Sequence, residues 1–229
     1  MEQSKVYFSD LRAPVGTNLL RKLEKLIRRA GIGDIDMEKK LVAIKLHFGE
    51  PGNLTYLRPN YAKVVADVVK SLGGVPFLTD CNTLYPGRRK NALEHMEAAY
   101  ENGFSPFSTG CHVIIGDGLR GTDDVEVPVE GAEYIQTAKI GRAIMDADVF
   151  ISLTHFKGHE ATGFGGAIKN IGMGCGSRRG KMEQHNAGKP LVRQSRCVGC
   201  RRCSRECGQD AISYGEDGKA GIDQEKCVG

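Results

Sequence analysis

The sequence predicts an α/β protein: a mainly parallel sheet with helices on both faces, followed by a small, incomplete, cysteine-rich α+β module. Two observations predict the body. Strand-length apolar runs alternate with helical stripes, and the helices between them are long enough for crossover connections. A third predicts the appendage. Of eight cysteines, Cys197, Cys200, Cys203, Cys207 and Cys227 crowd the C-terminal end, whereas Cys81, Cys111 and Cys175 are scattered. The body is read as residues 1–190 and the module as 191–229, joined through HNAGKPLVRQS, where Gly188 and Pro190 mark a linker.

KVYFSD (5–10) reads as a short strand. Asn18 to Arg29 sets Leu19, Leu20, Leu23, Leu26 and Ile27 on one helical face before Gly31. LVAIKLHF (41–48) has the branching and length of a buried strand. Pro59-Asn60 opens a helix whose stripe is Tyr61, Val64, Val65, Val68, Val69 and Leu72, closed by Gly73-Gly74. VPFLTD (75–80) reads as a strand, and Asn91 to Asn102 as a helix through Leu93, Met96 and Tyr100. HVIIGD (112–117) and VEVPV (125–129) read as strands, the second at an edge because it contains Pro128. Tyr134 to Met145 reads as a helix and DVFISLTH (148–155) as a strand.

A chain with 40% hydrophobic and 26% charged residues suits a folded globular protein. No apolar run nears the roughly 18 residues of a spanning helix. The opening MEQSKVYFSD carries no secretory signal, so a cytoplasmic protein without a membrane partner is expected. A net charge of +4 is too small to predict a nucleic-acid binder.

CVGCRRCSREC spaces Cys197, Cys200, Cys203 and Cys207 as C-x2-C-x2-C-x3-C. Four thiolates this close can hold a cubane iron–sulfur cluster, whereas zinc ribbons separate their two knuckles by a dozen residues or more. Arg193, Arg196, Arg201, Arg202 and Arg205 surround the run, as a solvated basic surface or a docking patch for an acidic redox partner. The tail resembles bacterial two-cluster ferredoxins. Ala211-Ile212 is kept after the fourth cysteine, Gly208 replaces the usual proline, and ISYGEDGKAGID reads as a hairpin. That resemblance implies two 4Fe–4S clusters in the complete protein. Cys197, Cys200 and Cys203 would hold one, while Cys207 and Cys227 would serve the other. Because the sequence stops at Gly229, the chain reads as shortened and completes at most one cluster, with Cys207 or Cys227 as its fourth ligand.

In open parallel sheets ligands bind beyond the carboxyl ends of the strands. There the sequence places Lys45, His47 and Glu50, then Asp80, Cys81, Asn82 and Thr83, then Asp117 and Arg120, and finally His155, Lys157, His159 and Glu160. His47, Asp80, Asp117, His155, Lys157 and His159 are the catalytic candidates of one polar cleft. The imidazoles and carboxylates suit a divalent metal, and Lys45 and Lys157 with backbone amides suit an anionic cofactor. The segment 155–177 is dense in glycine, which lets backbone amides approach a ligand closely. Its candidate cofactor-binding residues are Gly163, Gly165, Gly166, Lys169 and Asn170, together with Lys45. The phosphate-loop pattern fails, because Gly174 to Gly180 has one residue too many and Met182 follows Lys181. GDGLRG (116–121) matches the dinucleotide pattern, but strand rather than helix follows it.

KLHFGEPGN, TDCNTLYPGRR, IIGDGLRG and HFKGHEATGFGGAIKNIGMG resemble the family called "domain of unknown function 362", over most of residues 1–195. The resemblance implies an anaerobe-type iron–sulfur protein. The expected function is an oxidoreductase that passes electrons from a soluble redox carrier, through the cluster, to an unknown small molecule in the cleft. The alternatives are a non-enzymatic carrier or accessory subunit with the body as docking platform, or a nucleic-acid-binding iron–sulfur protein. The last lacks the aromatics that single-strand stacking uses.

Overall fold

The computed structural model describes residues 3–84, 87–160, 162–185, 190–207, 210–223 and 227. Helix α1 (Leu19–Arg29) starts where the Asn18 side chain accepts the Arg21 amide. Strand β1 (Leu41–Lys45) follows, buried from Val42 onward, so both faces of the sheet are covered there. Helix α2 (Pro59–Ser71) has Pro59 in its first turn, where no amide donor is needed. It ends at Gly73, whose φ of +82° suits glycine, with the Gly74 amide returning to the Val69 carbonyl at 3.1 Å. Its buried face is Ala62, Val65, Ala66, Val68 and Val69, each valine contributing roughly 1.5–3 kcal/mol on burial.

Strand β2 (Val75–Asp80), helix α3 (Ala92–Glu101), the single turn α4 (Pro106–Thr109) and strand β3 (His112–Ile115) continue the alternation. Strands β4 (Asp124–Pro128) and β5 (Thr137–Gly141) form an antiparallel ribbon, α5 (Arg142–Met145) is one turn, and β6 (Val149–Ser152) returns to the main sheet. That sheet is wholly parallel, in the order β3-β2-β1-β6, and flanked by helices. The expected α/β class therefore holds. A core of Ile44, Leu46, Phe48, Leu78, Phe104 and Val113 fills the space between α2, α3 and the sheet.

The glycine-dense segment is more ordered than its composition suggests: β7 (Lys157–His159) and β8 (Gly163–Gly165) form a hairpin, then α6 (Ala167–Gly172) and α7 (Arg178–His185) follow. The tail has α8 (Arg202–Glu206) and a hairpin of β9 (Ile212–Tyr214) and β10 (Ala220–Ile222), on the residues expected to form one. Gly188 in the linker and Gly208 lie outside the described residues.

Two elements differ from expectation. Residues 5–10 are not a strand but irregular backbone beside α1, held by Lys22, whose ammonium donates to the Asp10 carbonyl at 2.7 Å. A strand needs a ladder partner, and among the described residues none pairs with this one. Residues 134–145 are not one helix but β5 and α5, because 137–141 pair with 124–128 across a ribbon that local periodicity cannot reveal. No helix among the described residues is long and apolar enough to cross a membrane.

Candidate functional site

The sheet order puts the topological switch between β1 and β6, since the chain leaves β1 towards β2 and returns on its other side as β6. Ligands of open sheets sit beyond that crevice. Here Asn170 of α6 occupies it. Its Nδ2 donates to Ser152 Oγ at 2.9 Å, Thr154 Oγ1 at 3.0 Å and the Lys45 carbonyl at 3.3 Å. Its Oδ1 accepts from Lys45 Nζ at 2.7 Å. One side chain thus ties the glycine segment to the ends of central β1 and edge strand β6.

Lys45 also lies 3.0 Å from Asp80 Oδ1, with the two side chains only 1% and 5% exposed. Arg89 approaches Asp80 Oδ2 at 3.7 Å and donates through Nε to Glu50 at 2.5 Å. Behind Asp80, His95 Nδ1 is 3.3 Å from Asn82 Oδ1, and its buried Nε2 lies 3.9 Å from Asp80 Oδ2 without a hydrogen-bond partner. Asn82 links this pair to Asp117, which accepts the Asn82 amide and Nδ2 at 2.9 Å and the Arg178 amide at 2.9 Å, at the start of α7. Lys181 closes the far side, its ammonium donating to the carbonyls of Gly176 at 2.7 Å, Asn82 at 3.0 Å and Gly174 at 3.4 Å. The result is a buried polar layer at the strand ends, with its charges matched one against another.

The electrostatics follow from this packing. Burial alone would raise the Asp80 pKa, but the ammonium groups of Lys45 first, then Lys181, hold it well below the usual carboxylate value. Asp117 goes the other way: desolvation raises it despite Lys181 and the amides of Asn82 and Arg178. Desolvation, then nearby Arg89, pushes His95 down to about 3 against the pull of Asp80, so the ring is neutral. His47 stands at the rim with solvent on one side, and the Gly49 amide donates to its Nδ1 at 2.9 Å. Desolvation by the protein on its other side, followed by Arg89, lowers it to about 4. Cys81 and Cys175 are buried thiols beneath the layer. Desolvation raises Cys81 well above its ordinary value and Cys175 to about 11, so neither is a ready nucleophile.

The structure sets Lys45 in contact with both Asp80 and Asn170, reaches Asp117 from Asp80 through His95 and Asn82, and leaves His47 at the rim. It does not gather the remaining candidates there. His155 is half-buried beyond β6, and Lys157 is exposed on β7 with its ammonium near the Gly158 carbonyl. His159 contacts the Lys169 ammonium across the hairpin flank. Gly163 is the turn end of β8 with φ of +75°, Gly165 is its buried end, and Gly166 packs beside the Phe156 ring.

Arg89, His95 and Lys181 belong to the layer and were not singled out by sequence. The expected stripe of α3, Leu93, Met96 and Tyr100, leaves Leu93 61% and Tyr100 46% exposed, while Ala92, His95, Ala98 and Ala99 form the buried face. A histidine spaced i+3 from alanines was the available signal. In the tail, Ala220 and Ala211 donate their amides to Cys197 Sγ and Cys207 Sγ at 3.3 Å each. Cys203 Sγ lies 3.4 Å from Tyr214 Oη, and Cys200 and Cys203 are exposed. Among the described residues no three His, Cys, Asp or Glu side chains gather into a metal-holding group.

Fold and site define an open parallel α/β domain closed at its strand ends by a charged layer, with a cysteine loop following it. The chain belongs to the family described as Domain of unknown function (DUF362), whose model matches residues 42–219 and so runs through the linker into the β9–β10 hairpin. No curated protein matches it. It is similar to the solved structure of the lactate racemase apoprotein from Thermoanaerobacterium thermosaccharolyticum, at 15% identity and a TM-score of 0.44. The match covers 75% of this chain and 36% of that one, so the chain spans about a third of that protein's length.

Proposed function

We propose that the protein is an iron–sulfur electron carrier, its α/β body serving as the platform for a cubane-binding cysteine loop. The observation that carries this reading is the state of two sulfurs in the C-x2-C-x2-C-x3-C run. Cys197 and Cys207 each accept a backbone amide, and the Ala220 amide first, then that of Gly199, holds the Cys197 thiol below its ordinary pKa. Amide donors aimed at sulfur stabilise thiolates and tune the clusters they hold. Gly199 supports the same turn: its φ is +64°, and a Cβ there would fall 2.7 Å from the Gly218 carbonyl.

Cys197, Cys200 and Cys203, with Cys207 or Cys227 as the fourth, would hold the cluster, which when bound supplies one-electron transfer. The Gly199 amide of the loop and the Ala211 and Ala220 amides beside it would place their dipoles against the thiolate charge. Preference for a carrier over an enzyme rests on the strand ends, where Asn170 fills the switch-point crevice and Lys45 and Arg89 neutralise Asp80. A second reading, an oxidoreductase whose ligand sits at the rim, draws support from His47, a neutral and exposed imidazole.

The test is a cysteine series reconstituted anaerobically with iron and sulfide. Cys197→Ser, Cys200→Ser and Cys203→Ser should each abolish or strongly reduce the visible charge-transfer absorption, while Cys111→Ser leaves it intact. Equal absorption in all four variants, or none in the parent, rejects the proposal.

A further inference from the structure

We infer that the cysteine loop is a docking face for an acidic one-electron carrier protein, recognised by Arg196, Arg201, Arg202 and Arg205 around the apolar contact Val198. The inference rests on the proposal that this loop holds a redox cluster, and names the partner that would exchange electrons with it.

The arginines of the loop, with Arg193 before them, are all exposed, and among the described residues none of them enters an ion pair. Within 190–207 Glu206 is the only carboxylate, and from the hairpin Asp217 and Lys219 act on Cys197 with opposite signs. Val198, the residue after the first cysteine, is 85% exposed, and Cys200 and Cys203 are exposed beside it. A neighbouring cluster would balance part of this charge, but Arg193, Arg196, Arg202 and Arg205 are exposed, while Arg201 rests on the Tyr214 ring. An apolar residue among unpaired arginines is the composition of an interface centre. The concentration of one sign of charge would steer an acidic partner and set its orientation. Redox encounters use small, transient contacts, and an exposed loop of a dozen residues suffices for one.

A nucleic-acid strand would also be drawn to arginines, but single-strand binding uses free aromatic faces for stacking. The ring at this face, Tyr214, is already covered. Arg201 sits 5.2 Å over it, and its hydroxyl donates to Ser204 Oγ at 2.9 Å. The observations favour the acidic protein.

Flavodoxin, an acidic one-electron carrier, is the probe, with basic cytochrome c as counter-probe and a single-stranded oligonucleotide as the third arm. Each is titrated against the full chain over a salt series under anaerobic conditions. Flavodoxin should bind with an affinity that falls steeply with salt. Arg202→Glu/Arg205→Glu should weaken it about tenfold or more, and Arg202→Lys/Arg205→Lys should retain most of it. Iron per chain and far-ultraviolet circular dichroism report whether each variant is still folded and loaded. If the glutamate variant is misfolded, Arg193→Glu/Arg196→Glu, which leaves α8 untouched, takes its place. Unchanged flavodoxin binding in a folded, loaded variant overturns the inference. So does tighter binding of cytochrome c or of the oligonucleotide. If the chain takes up no iron yet flavodoxin binding keeps its arginine dependence, the docking face stands and the cluster reading falls.

Discussion

Lys45 and Asp80 show how strongly one residue pair can be committed. Both side chains are out of solvent and 3.0 Å apart, and Lys45 reaches Asn170 as well. Removing one partner strands the other charge in the interior. Lys45→Met is therefore expected to destabilise the folded chain by about 3–5 kcal/mol in denaturant titrations, whereas the double variant Lys45→Met/Asp80→Leu loses much less. A single variant as stable as the parent would show the pair to be solvated. The pH dependence follows from the neutral histidine behind them. His95 titrates near 3 in the folded chain against an ordinary 6.5, so the unfolded chain takes its proton first as pH falls. Stability should decline from about pH 6.5 towards pH 3, by up to about 1.4 kcal/mol per pH unit for this group. Asp80, held low, adds its own loss only below about pH 4. Denaturation midpoints measured from pH 7 to pH 4 should fall in the parent and fall less steeply in His95→Asn, where the contribution of His47, lowered to about 4, remains, and equal slopes would contradict the assignment. At this scale the sequence was partly legible. Lys45, Asp80 and Asp117 stand where strands end and were read as polar ligands, but their partners Arg89, His95 and Lys181 come from segments whose folding back onto the sheet leaves no local pattern.

Among the elements, α6 has the largest influence for its length. Six residues long, it delivers Asn170 into the crevice between β1 and β6. Asn170→Ala removes those side-chain bonds and leaves Lys45 with Asp80 alone. A loss of about 1–3 kcal/mol is expected, together with faster limited proteolysis between residues 155 and 177. Proteolysis unchanged from the parent would mean that the segment is held by other contacts. The regular units were legible because burial imposes periodicity: β1 and β2 as apolar runs, α2 as a valine stripe between Pro59 and Gly73. Pairing and burial defeated the rest. Residues 5–10 have strand composition without a ladder, and β5 depends on a partner ribbon rather than on its own spacing. Helix α7 buries Gly180 and Lys181, not an apolar stripe, so it could not be seen from hydrophobic spacing.

For the whole molecule, the order β3-β2-β1-β6 explains why polar side chains from distant segments meet at one rim, and why Asn170 can close it. The family model matches residues 42–219, a span that includes the cysteine loop. The proposed iron–sulfur cluster belongs to that loop. Its most direct test is the metal and acid-labile sulfide content of the chain purified under strict anoxia, measured by mass spectrometry and sulfide assay. About four iron and four sulfide per chain, with zinc at trace level, is the expected result. Stoichiometric zinc without sulfide would contradict it.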